Sequence, residues 1–134
     1  MSTAEPLIAG IQAFRPFLPA KDYQTSLRFY EAVGFDAYPL GEAMAHMRLG
    51  PHAFILHSHD VEPADNEWVM HVLVDDVRGW WRHLDSLDLA KRFGVPTLGP
   101  PRDEPWGLTV VYLTDPSGTL WHFAQDTESM SKES

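Results

Sequence analysis

Apolar positions along the chain switch between two periods, and the same succession occurs twice. Residues 11–18 (IQAFRPFL) carry strand-like apolar content, with Pro16 pointing to an edge position or a bulge. Asp22 then stands as a helix N-cap. Tyr23, Leu27 and Tyr30 follow at helical spacing, Phe29 and Val33 widen the stripe, and Gly34 is placed to end the helix. Strands are predicted at 35–40, 43–49 and 52–57, separated by Gly41 and by Gly50-Pro51.

Residues 58–66 (SHDVEPADN) are polar and turn-rich and read as the connection between halves. A strand at 68–74 follows, then Asp76 as a second cap. Val77, Trp80, Trp81, Leu84 and Leu87 make a helical stripe that closes near Gly94. Strands at 97–98, 108–114 and 119–124 complete the set, the last two joined by Asp115-Pro116-Ser117-Gly118. That break suits a type I turn: Asp bonds its own backbone, Pro presets φ at the second position and Gly is favoured at the fourth.

The two halves are related in sequence. Ala20-Lys21-Asp22-Tyr23, with Leu27-Arg28 and Tyr30, echoes Val74-Asp75-Asp76-Val77, with Trp81-Arg82 and Leu84, at one constant offset. The expected fold is therefore α+β. It has two βαβββ modules, about 11–60 and 67–125, that form a curved mixed sheet with helices outside and a cup between. The whole chain is expected to be one domain, with 58–66 as linker and 127–134 as a flexible tail.

Composition narrows the chemistry. A chain of 134 residues can bury a core without disulfides or metal, and with no Cys, thiolate catalysis and Cys-ligated zinc drop out. A formal net charge of −9 disfavours nucleic acid and anionic membranes as partners. No apolar run is long enough to span a bilayer, and the first residues lack a signal-peptide pattern, so a soluble, cytoplasmic protein is expected. No nucleophile stands in a G-x-S-x-G context, and no glycine loop suits a phosphate.

The functional signal lies in aromatic and histidine residues. Trp106, between Pro105 and Gly107, holds a flat side chain on a stiffened loop, where it can stack on a planar ligand or cover a core or subunit contact. Asp103, Glu104 and, from the linker, Asp65 are acidic residues that could draw in a cation. Trp68 and Trp121 are expected to pack beneath the helices. His57 and His59 read as loop residues, and His46, His52 and His83 as structural or surface ones.

Four segments resemble the vicinal-oxygen-chelate superfamily of glyoxalases, bleomycin-resistance proteins and dioxygenases, and within it the bleomycin-resistance proteins. They are PFLPAKDYQTSLRFYEAVGF (16–35), PADN (63–66), EPWG (104–107) and DPSGTLWHFAQ (115–125), within a resemblance covering about 14–126. The enzymes of that superfamily hold a divalent metal at cup-facing strand positions. Those positions correspond here to Arg15, Val69 and His122, of which only His122 can ligate.

The resemblance thus implies a binding protein with no catalytic residue, metal or cofactor. It would hold a bulky aromatic, cationic antibiotic or similar small molecule at the cleft of a homodimer. Trp106, His71, His122, Tyr112, Phe17, Glu104 and Asp65 are the expected ligand-binding residues. The alternative is a metal-dependent enzyme of the glyoxalase, dioxygenase or thiol-transferase kind, with a noncanonical site at His71 and His122 supported by Glu67 or Glu104.

Overall fold

The computed structural model describes residues 4–126. A five-residue helix α1 (Glu5–Ala9) precedes the first module: β1 (Phe17–Ala20), α2 (Tyr23–Val33), β2 (Asp36–Pro39), β3 (Met44–Leu49) and β4 (His52–Ser58). A 3-10 turn at Pro63–Asp65 leads to the second: β5 (Val69–Leu73), α3 (Val77–Asp85), α4 (Leu89–Phe93), β6 (Arg102–Asp103), β7 (Leu108–Thr114) and β8 (Leu120–Asp126). The strands form two four-stranded mixed sheets, ordered β1-β4-β3-β2 and β5-β8-β7-β6. In each, the strand before the helix pairs parallel with the last strand of its module, and the other pairings are antiparallel.

Both helix caps act as their sequences require. The Asp22 carboxylate accepts the Thr25 N–H and that of Asp76 accepts the Gly79 N–H, each satisfying a donor that has no partner inside the helix. Gly34 ends α2 at φ +132°, a conformation that a side chain would oppose.

Three expectations need correction. The first strand begins at Phe17, and residues 11–16 run without regular structure. Pro16 has no N–H to give, although its carbonyl accepts from Ile55. β1 also contains Pro19, which is tolerated because β1 lies at the edge of its sheet. The stripe from Val77 is two helices rather than one: Asp88 adopts the left-handed region at φ +54° and breaks it after Ser86. Residues 97–98 are irregular, and the short strand is instead Arg102–Asp103.

Helix-facing sides of both sheets share one core. Leu18, Leu56, Met47 and Phe54 from the first sheet meet Val111, Leu113, Trp121 and Phe123 from the second, with Phe29, Tyr30, Val33, Val77 and Leu84 from the helices. Tyr30 lies at its centre. Its ring packs against Phe29, Phe35, Phe54 and Trp121, and its hydroxyl donates to Asp115 Oδ2 while accepting from Trp121 Nε1 at 2.9 Å. The Asp115–Gly118 turn is therefore seated on α2 of the other module, with the Lys21 N–H donating to Ser117 Oγ at 2.9 Å.

The connection between halves is tied to the same turn. Asn66 Nδ2 donates to the Ser117 carbonyl at 2.8 Å and to Thr119 Oγ1 at 3.0 Å. Trp121 is buried as expected, but Trp68 is half-exposed. It stands one residue before the start of β5, with its N–H held by Asn66 Oδ1. No helix among the described residues is long and apolar enough to cross a membrane. A tail expected from 127 onward lies outside the described residues.

Candidate functional site

Since the helix-facing sides are used up in the shared core, the opposite side of each sheet is left for other work. On the second sheet, strand alternation places Val69, His71 and Leu73 of β5, Leu120 and His122 of β8, and Tyr112 of β7 on this outer side. His71 and His122 are directly opposed on parallel neighbours, and Tyr112 and His122 on antiparallel ones. His122 thus has a ring on either flank: His71 at 5.8 Å and Tyr112 at 5.0 Å between ring centres, both edge-on.

Trp106 closes over the same residue. The segment Glu104-Pro105-Trp106-Gly107-Leu108 makes a tight hairpin between β6 and β7: the Gly107 N–H donates to the Glu104 carbonyl at 3.2 Å and the Glu104 N–H to the Leu108 carbonyl at 2.9 Å. Proline presets φ at the second turn position, and Gly107 takes φ +92°, as three-residue hairpin loops ask of their last residue. The turn sets the indole 6.3 Å from the His122 ring, tilted by 37°, with 53% of Trp106 exposed. A half-exposed tryptophan leaning over an imidazole leaves an aromatic face open to a planar group.

Beside the rings, the polar groups of β6 and β7 pair with one another. The Tyr112 hydroxyl donates to Glu104 Oε2, and the Arg102 guanidinium lies 3.9 Å from Glu104 Oε1. Burial, reinforced by Glu104, raises the Tyr112 pKa above the ordinary phenol value. Burial and then His71 lower that of His122, with Glu104 opposing, which favours the uncharged imidazole. The Asp103 carboxylate accepts from Thr109 Oγ1 at 2.7 Å.

Of the seven residues expected at a ligand site, Trp106, His71, His122, Tyr112 and Glu104 come together on this wall. Phe17 and Asp65 do not join them. Phe17 belongs to the first sheet, edge-on to His57 at 5.4 Å between ring centres. Asp65 lies in the 3-10 turn beside Ser117 and Gly118, at the other end of the β7–β8 hairpin from Trp106. Seven strand residues separate the two ends, roughly 20 Å. The linker docks on that far turn through Asn66, a pairing across 51 residues that composition does not signal.

The site also has members the sequence reading missed. Arg102 faces Glu104 from β6, a strand implied by the Pro-Trp-Gly turn, since such a loop needs a strand on each side. A groove of about 540 Å³, lined by Phe14, Arg15, Phe54, Met70, His71 and Trp121 among others, runs along the β5 edge and reaches the wall only at His71.

Two of the family's metal positions carry no usable ligand. Arg15 is exposed and cationic, and Val69, 52% exposed, has no donor atom. Among the described residues no three His, Asp or Glu side chains converge on a point that could hold an ion. The residues present do not fit a divalent metal of that kind.

Comparison with known proteins agrees with this architecture. A bleomycin resistance protein from Klebsiella pneumoniae is 26% identical over 113 residues, covering 83% of this chain and 90% of that protein. Among solved structures, a bleomycin-binding protein complexed with bleomycin superposes with a TM-score of 0.76 at 24% identity, over 87% of this chain and 99% of the other. A lactoylglutathione lyase from Agrobacterium tumefaciens gives 0.63 at 18% identity, over 86% and 94%. At such identities the two structures establish a shared fold, which a binding protein and a lyase both use. The family model of the glyoxalase/bleomycin resistance protein/dioxygenase superfamily matches residues 10–123, and the chain belongs to that superfamily.

Proposed function

We propose that this protein binds and sequesters a bulky small molecule of the bleomycin type, bearing planar aromatic and cationic groups, without transforming it. The observation that carries the reading is the open aromatic wall of Trp106, His122, Tyr112 and His71 on the outer side of the second sheet. It offers stacking surface and imidazole edges to a ligand. The relative from Klebsiella pneumoniae supports the choice of ligand class, and the net charge of −9 favours a cation.

One wall does not enclose a large ligand. A second copy of the chain would close the cleft, and the exposed apolar residues Val69 and Leu73 at the sheet edge, with Leu7, Ile8, Ile11 and Phe14 before β1, suit a homodimer contact. Binding is tested by titrating the purified protein with metal-free bleomycin and following tryptophan fluorescence. Saturable quenching near one ligand per chain, lost in Trp106→Ala, is expected. Unchanged affinity in that variant removes Trp106 from the site.

The opposed imidazoles His71 and His122 keep a metal-dependent activity as the rival reading, although two ligands fall short of the usual three or four. Elemental analysis after purification without chelators decides it. A stoichiometric divalent ion that is lost in His122→Ala would overturn the sequestering reading.

A further inference from the structure

Glu104 has the charge to attract a cationic ligand, yet its surroundings assign it another task. Its side chain is 13% exposed, one oxygen accepts the Tyr112 hydroxyl, and the other faces the Arg102 guanidinium. Little of the carboxylate is presented to the open face where Trp106 and His122 lie. We propose that Tyr112 and Glu104 are positioning residues that fix the Trp106 turn above His122, so that Glu104 serves the site through geometry rather than charge. The proposal rests on the ligand reading above for its consequence in binding.

The argument is one of closure. Trp106 leans on His122, His122 packs on Tyr112, the Tyr112 hydroxyl bonds Glu104, and Glu104 opens the turn that carries Trp106. The two backbone hydrogen bonds of the turn fix its internal shape. They do not fix its tilt on the sheet, because both lie within the hairpin tip itself. The link from Glu104 to Tyr112 reaches from the turn down to the middle of β7, and supplies that restraint. Without the hydroxyl, a largely buried carboxylate loses its donor and gains by swinging out to water. The turn and its indole would swing with it.

The test uses protein labelled with 5-fluorotryptophan, whose five indoles give separate fluorine signals. Trp106→Phe assigns the Trp106 signal by its loss. Tyr112→Phe and Glu104→Ala are expected to move that signal toward the position of a freely solvated indole, while the other four stay in place. Bleomycin affinity should fall about tenfold in both variants, the scale of one lost aromatic contact. Glu104→Gln, whose amide oxygen still accepts from Tyr112, should recover most of what Glu104→Ala loses.

A Trp106 signal that stays at its wild-type position in Tyr112→Phe and Glu104→Ala overturns the proposal. So does a Glu104→Gln variant as weak as Glu104→Ala, because Glu104 would then act by charge. The fluorine signals need no ligand. Failure of the wild type to bind bleomycin would sink the ligand reading alone and leave the positioning to be decided by the shifts.

Discussion

Asp115 is a buried carboxylate whose ionisation the fold resists, and neutralising it should reshape the pH dependence of stability. The residue is 1% exposed. Its Oδ1 accepts the N–H groups of Ser117 at 2.8 Å and Thr119 at 2.9 Å, and its Oδ2 accepts the Tyr30 hydroxyl. Burial outweighs these bonds and raises its pKa from 3.8 to about 6. At about 1.4 kcal/mol per pH unit, that displacement is worth about 3 kcal/mol.

The sign follows from proton counting. The native state binds this proton more tightly than the unfolded chain, so the contribution of Asp115 to stability grows as pH falls through the window from 6 to 3.8 and declines as pH rises through it. About 2 kcal/mol of the change falls between pH 4 and pH 7. Other carboxylates act oppositely. Asp22, lowered first by the Thr25 N–H, contributes stability that is lost on acidification. A difference between two proteins removes them.

Asp115→Asn is nearly isosteric, keeps an oxygen for Ser117 and Thr119, and cannot ionise. Urea unfolding of both proteins at pH 4, 5, 6 and 7 should show the wild type gaining on the variant by about 2 kcal/mol from pH 7 to pH 4. Parallel profiles would refute the reasoning and mean that the hydrogen bonds, not burial, decide the state of this carboxylate.

Gly118→Ala should destabilise by about 3 kcal/mol or more in chemical denaturation: Gly118 sits at φ +92°, and an added Cβ would come within 2.4 Å of the Pro63 carbonyl oxygen. Asn66→Ala removes the side-chain bonds to the Ser117 carbonyl and Thr119 Oγ1 and the one to the Trp68 N–H, and should cost about 2 to 3 kcal/mol by the same measurement. Affinity for a cationic ligand should fall once pH drops below the ordinary histidine range, where His122 gains the proton that burial and His71 disfavour, and His122→Phe should shrink that fall; titration over a descending pH series measures it.

The candidate wall was legible in part. Trp106 stood out because Pro-Trp-Gly is a turn with a mechanism, and His71 with His122 because strand alternation is a local rule. The grouping of Glu104 with Tyr112 and Arg102 was harder to read: the Pro-Trp-Gly turn implies a strand before it, but β6 is two residues long and has no apolar pattern to mark its register. Asp65 was expected near Trp106 as an acidic linker residue able to draw a cation into the cleft. Loop composition does not say which end of a hairpin a segment reaches, and Asn66 ties this one to the far end.

By itself the sequence determined where α2 and α3 are capped, where the chain turns and which strand residues share a face. These depend on neighbours within a few positions, through side-chain capping, the φ allowed to glycine and proline, and the period of two along a strand. The tertiary structure alone decided which of the two faces is buried and what meets across it. Tyr30 and Asp115 stand 85 residues apart and Asn66 and Ser117 stand 51 apart, and no local preference encodes either pair. Trp121 went into the core while Trp68, expected beside it, was left half-exposed, because burial belongs to the partner surface that covers a side chain and not to the side chain alone.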